Sequence, residues 1–332
     1  MSRYFIKIGL PVFLLLALYF LGPAPRQPEW DLAMPQVPAD PAGLEAYIDQ
    51  NESRHSIKPD NEARILWWDS TRSKTPYSVV YLHGFSASQE EGDPVHTVFA
   101  KKFGCNLYLP RLADHGVDTT EQLLTFTADR LWNSAKEALA IGKAIGEKVI
   151  VLSTSTGGTL ALMLAAEYPQ DVHALINLSP NIEINSPTAF VLNNPWGLQI
   201  ARLTIGGRYL KSDYNAERKR YWNDNYRLEA LTQLQEIIEE KMNLATFQRV
   251  NQPSLTLYYF KDEAHQDPTV KVSAMLKMNE QLATPDSLKQ AIALPDVGAH
   301  VIGSHLVSRD LKSVIEAANR FAIEKLHLIP VN

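Results

Sequence analysis

Short, mostly apolar runs alternate with longer amphipathic stretches along most of this chain. Residues 64–69, 78–82, 106–109, 149–152 and 173–178 form the first set of runs, and residues 254–260 and 290–294 resume it. Brief runs without polar alternation predict strands buried on both faces. The stretches between them, at 94–103, 121–145, 159–167, 269–282 and 310–325, read as helices. Strands separated by helices at this spacing predict a mostly parallel sheet with helices on both sides, an α/β fold. The alternation stops between residues 181 and 251, where no strand is expected. A helix over 228–242 and a cluster of aromatic residues mark that stretch as an inserted helical cap. The α/β domain therefore runs over 63–326 with its cap at 181–251.

The first 62 residues follow another pattern. An apolar run over 8–22 follows Arg3 and Lys7. Its length and its cationic lead-in predict a signal anchor or signal peptide over 1–22. Read as an uncleaved anchor, it leaves the N-terminus in the cytoplasm and places the catalytic domain outside; if cleaved, the protein is secreted. Pro23, Pro25, Pro28, Pro35, Pro38 and Pro41 make the next stretch a semi-extended linker, with a short helix over 44–51 in the lead-in that ends at residue 62.

Composition narrows the function classes. With 45% hydrophobic and 21% charged residues, the chain has ample material for a core. A formal net charge of -5 gives no basic surplus for nucleic acid. The single cysteine, Cys105, lies in an apolar context and reads as a buried inert thiol. No His-Glu-x-x-His, paired-cysteine or phosphate-loop pattern occurs, so neither metal nor organic cofactor is expected. The run Arg218-Lys219-Arg220 reads as a solvated helix face.

The chemistry centres on residues 149–167. An apolar strand turns into a helix with Ser155 at the joint, in Ser153-Thr154-Ser155-Thr156-Gly157-Gly158. Such a strand–serine–helix turn projects the hydroxyl above the sheet edge as a nucleophile, although Ser153 stands where the G-x-S-x-G pattern has glycine. A serine needs a base, and the base needs an orienting acid. His300, in a loop past the last predicted strand, is the base; His55, His305 and His327 read as ordinary histidines. The acid is Asp262, counted forward from strand 254–260, or Asp267, counted backward from the following helix, with Asp262 preferred. The backbone N–H groups of Phe85 and Thr156 are the expected donors to an oxyanion.

His83-Gly84-Phe85, Leu109-Pro110-Arg111-Leu112 with His115-Gly116, the Ser153–Gly158 turn, the Asp262/Asp267 pair and Gly298-Ala299-His300 together resemble the α/β-hydrolase superfamily, nearest in pattern to its carboxylesterase and monoacylglycerol-lipase-like members. The resemblance covers about residues 63–326. It implies a serine hydrolase acting on small-molecule esters, with a helical cap over the site. An amidase, peptidase or thioesterase would use the same machinery, and a non-catalytic binding domain displayed at a membrane is the alternative from another class.

Overall fold

The computed structural model describes the backbone of residues 2–331 and the side chains of residues 11–331. Helix α1 spans Ser2–Phe20 and α2 spans Pro41–Glu52. There follow β1 (Arg64–Leu66), β2 (Thr75–Leu82), α3 (Val95–Phe103), β3 (Asn106–Leu109), α4 (Ala128–Ile145), β4 (Gly146–Thr154), α5 (Thr156–Glu167) and β5 (Val172–Leu178). The cap holds α6 (Gly197–Ile205), β6 (Tyr209–Lys211), α7 (Ala216–Tyr221), β7 (Asn225–Arg227), α8 (Leu228–Lys241) and α9 (Leu244–Phe247). The chain closes with β8 (Ser254–Asp262), β9 (His265–Gln266), α10 (Val272–Gln281), β10 (Lys289–Leu294) and α11 (Leu311–Glu324).

The main sheet has the order β1-β3-β2-β4-β5-β8-β10. β1 is antiparallel to β3 and the strands from β3 to β10 are parallel, while β9 folds back antiparallel on β8. The apolar strands have no polar face because both faces are covered. Val80, Leu82, Val149 and Val151 join α4, α5 and α10 in one core. Their alternate neighbours Val79, Tyr81, Ile150 and Leu152 join α3 and α11 in the other. The two-residue period of a strand thus sorts one apolar run into two cores.

Two expectations need correction, and a third is not shown. The helix predicted over 121–145 starts at Ala128, capped by the Thr127 side chain accepting from the Arg130 N–H. Leu123 and Phe126 are apolar because they plug the core from a loop. The cap, expected to have no strand, contains the antiparallel pair β6–β7. Among the described residues no helix is long and apolar enough to cross a membrane, so the anchor expected over 1–22 is not shown. At 19 residues α1 is about 28 Å long, just short of a bilayer core of about 30 Å. The side chains of residues 1–10, part of that expected anchor, lie outside the described ones.

The proline-rich stretch is extended, as its composition predicts, but it does not stand free. Gln27 Nε2 donates to Glu236 Oε1 at 2.8 Å and Trp30 Nε1 to Glu240 Oε1 at 2.5 Å, both on α8. Asp31 then accepts from the buried Lys136 on α4 at 3.1 Å. Further back, Trp196 of the cap donates its backbone N–H to Pro23 O at 2.8 Å and its indole N–H to Leu18 O at 3.1 Å.

Candidate active site

Ser155 is the joint between β4 and α5, at φ 53° and ψ −118°. A non-glycine residue there is strained, and the surroundings hold it. Its N–H donates to Leu178 O at 3.0 Å, and its carbonyl accepts from Gly158 N at 2.8 Å and Asn181 N at 2.9 Å. The turn is tight enough that a Cβ on Gly157 would overlap the Leu82 carbonyl. Ser153, the departure from the glycine pattern, is fully buried, and its hydroxyl donates to Asn177 Oδ1 at 2.8 Å. A serine fits at that position because the neighbouring strand supplies an acceptor for it.

His300 lies in the loop after β10. Its Nδ1 is 2.7 Å from Asp267 Oδ2. The other oxygen of Asp267 accepts from the N–H groups of Thr269 at 2.8 Å and Val270 at 3.0 Å. Burial would raise the Asp267 pKa, but the His300 charge, the hydrogen bond to it and the two amides outweigh burial and lower it. Burial would lower the His300 pKa, and the Asp267 carboxylate with its hydrogen bond reverses that and leaves it raised.

Asp262 is elsewhere. β8 runs on to Asp262 and turns back as β9, so the carboxylate sits on an exposed hairpin. It accepts from the N–H groups of Ala264 at 3.0 Å and His265 at 2.9 Å, and pairs with His265 Nδ1 at 2.8 Å. The preference for Asp262 over Asp267 is therefore corrected: the structure brings Asp267, not Asp262, to His300.

Ser155, Thr156, Phe85 and His300 all line one cavity of about 830 Å³ between the sheet edge and the cap. Among the described residues, neither the Phe85 nor the Thr156 backbone N–H donates to any acceptor, and Ser155 Oγ makes no hydrogen bond. Thr156 is the first residue of α5, so its amide also carries the positive end of the helix dipole.

The pattern that defines the alpha/beta hydrolase family matches residues 79–317. The chain belongs to that family. No curated protein matches it by sequence. Among solved structures, a metagenome-derived lipolytic enzyme from the LipS and LipT pair superposes with a TM-score of 0.64 at 18% identity, covering 80% of this chain and 98% of that one. A monoacylglycerol lipase from Paleococcus ferrophilus gives 0.56 at 13% identity, with 79% and 98% covered. A soluble variant of the Saccharomyces cerevisiae monoglyceride lipase gives 0.58 at 13% identity, with 80% and 90% covered. At these identities the likeness is one of fold.

Two further residues support this site, and of them only Glu91 escapes the sequence reading. Glu91 lines the cavity at 2% exposure, and its Oε2 accepts from the Gly84 N–H. Burial pushes its carboxyl up to about 7, against the Gly84 amide and the His300 and Arg218 charges. In the sequence it belongs to Glu90-Glu91-Gly92-Asp93, which looks like a solvated acidic loop. His83 is the second. It is fully buried, and burial holds its pKa well below 6.5, so the ring is neutral. Nδ1 is 3.0 Å from Gly84 O, and Nε2 accepts from Leu112 N at 3.1 Å. The His83-Gly84-Phe85 turn is thus tied to the loop after β3 on one side and to Glu91 on the other.

Proposed function

We propose that the chain is a serine hydrolase that cleaves carboxylic esters through an acyl-enzyme. The observation that carries this reading is that His300, paired with the buried Asp267, lines the same cavity as Ser155. Asp267 occupies Nδ1 of the imidazole, which leaves Nε2 as the basic nitrogen. Nε2 takes the Ser155 proton as Oγ bonds to the ester carbonyl carbon. The carbonyl oxygen gains the negative charge, and the Phe85 and Thr156 amides, which donate to no other acceptor among the described residues, receive it. The tetrahedral adduct then expels the alcohol, which leaves with the proton from Nε2. Water repeats the sequence on the acyl-enzyme, with His300 again as base, and releases the carboxylic acid. The largely apolar cavity walls, which include Leu192, Ile200, Leu231 and Leu234, suit an acyl chain of lipid-like or monoacyl esters.

An extracytoplasmic location near a membrane remains part of the proposal. Its support is the exposed apolar surface of α1 and the turn after it, Phe13, Phe20 and Leu21 among them, lying beside the cap. The mass of the mature protein tests it: a species beginning near Pro23 means that the segment is a cleaved signal. For the chemistry, a fluorophosphonate probe should label the wild type and leave Ser155→Ala unlabelled. Equal labelling of both, or no labelling of either, would sink the mechanism.

A further inference from the structure

The basic run Arg218-Lys219-Arg220 on α7 reads as a solvated face in the sequence, and the structure divides it. Lys219 is exposed and pairs with Asp224 at 3.1 Å. Arg220 is exposed and lies over the Tyr221 ring. Arg218 instead turns inward and lines the cavity that holds Ser155 and His300. Its guanidinium carbon sits 4.0 Å from the Tyr214 ring centroid and 5.1 Å from that of Trp222.

Stacking fixes the plane of a guanidinium but leaves its N–H donors unused. Among the described residues Arg218 has no ion-pair partner, and its Nε is buried without a hydrogen bond. The carboxyl on this wall, Glu91, has one oxygen taken by Gly84 and makes no ion pair with Arg218. A cation facing an apolar cavity with unused donors is costly unless something polar arrives to meet it.

The position is also held in place. The Asn215 side chain accepts from the Arg218 N–H at 2.8 Å. Asn61 Nδ2 donates to Arg220 O at 2.9 Å, and Tyr221 Oη donates to Asp60 Oδ2 at 2.8 Å. Lys58 Nζ donates to the carbonyls of Lys219 at 3.3 Å and Trp222 at 3.2 Å. The last four of these contacts fasten α7 and the residue after it to Lys58, Asp60 and Asn61, so Arg218 is presented to the cavity from a fixed support.

We propose that Arg218 determines specificity and that the preferred ester carries an oxyanionic group, a carboxylate or a phosphate, which its guanidinium receives. The planar fork matches the oxygens of either group. This inference rests on the hydrolase reading of the same site, since it places the substrate in the Ser155 cavity.

Two substrate pairs test it and separate the two anions. The first compares a chromogenic ester whose acyl chain ends in a free carboxylate with its methyl-capped counterpart. The second compares a monoacylglycerol with the corresponding acyl glycerol phosphate. Wild type should favour the anionic member of at least one pair by about tenfold or more in kcat/KM, the lower range of a charge-assisted hydrogen bond. The ratio should fall to about one in Arg218→Gln and be partly restored in Arg218→Lys. A wild-type ratio near one in both pairs overturns the proposal, and so does a preference that survives in Arg218→Gln. The wild-type comparison stands even if a variant fails to fold. Calorimetric titration of full-length Ser155→Ala with the same four compounds reads recognition without turnover. If wild type cleaves no ester, the hydrolase reading falls, and the ratio of the four affinities alone decides whether Arg218 receives an anion.

Discussion

Asp262 and Asp267 are five positions apart and feel opposite surroundings. The Asp262 side chain is 52% exposed, and that of Asp267 is fully buried against His300. Asp267→Asn should lower kcat by about 10³- to 10⁴-fold, because an amide cannot hold the imidazole in the required tautomer or stabilise its charged form. Asp262→Asn should stay within about threefold in the same steady-state assay, since it disturbs only a surface turn. The pH profile belongs to the same pair. The His300 pKa is raised above 6.5 in the folded protein, so the stability that its partner provides is complete below 6.5. It is lost as pH rises through the folded value. The neutral base appears over that same window, so kcat/KM should climb with pH on a limb centred above 6.5. In Asp267→Asn that limb should move down, because the raising charge is gone. A limb that does not move would separate His300 from the observed activity.

At the scale of elements, the joint between β4 and α5 is the least forgiving place in the fold. Gly157→Ala would drive a methyl into the Leu82 carbonyl, a backbone atom of a central strand that cannot swing aside. A loss of about 3 kcal/mol or more in chemical denaturation is expected there. The buried parallel strands were the most legible elements, because burial on both faces demands the apolar runs that mark them. The residues 106–109 predicted as a strand are β3 without change. The elements that the sequence pattern does not mark are short or depend on distant partners. β6, β7 and β9 have at most three residues each, too few for any periodicity. β9 bears on the acid as well, since the hairpin it forms with β8 carries Asp262 away from His300. The nucleophile turn and the histidine loop could be read from strand order and spacing. Glu91 and Arg218 could not, because only the folded chain turns them inward.

Across the whole molecule, Glu91 should leave a signature in stability. Its carboxyl titrates near 7 when folded against 4.5 as an ordinary glutamate, because burial penalises the charge. Between those values the folded state holds a proton that the unfolded chain has released, so stability falls as pH rises from about 4.5 to about 7. The full fall is on the order of 3 kcal/mol. Glu91→Gln keeps an acceptor for the Gly84 N–H and removes the titration, so its stability measured by denaturant should be flatter over that window. An equal slope in both proteins would place the titration elsewhere. The N-terminal stretch has a different, mechanical consequence. Among the described residues, counting inward, it is fastened first to Trp196 of the cap, then to Asp129 on α4 through Arg26, to Glu236 and Glu240 on α8, and to Lys136 beside the sheet. Force applied at that end would therefore load the cap before the sheet, one fastening at a time like a peeled strip. Under tension the cavity roof, which holds the first of these fastenings, should give way before the parallel strands below.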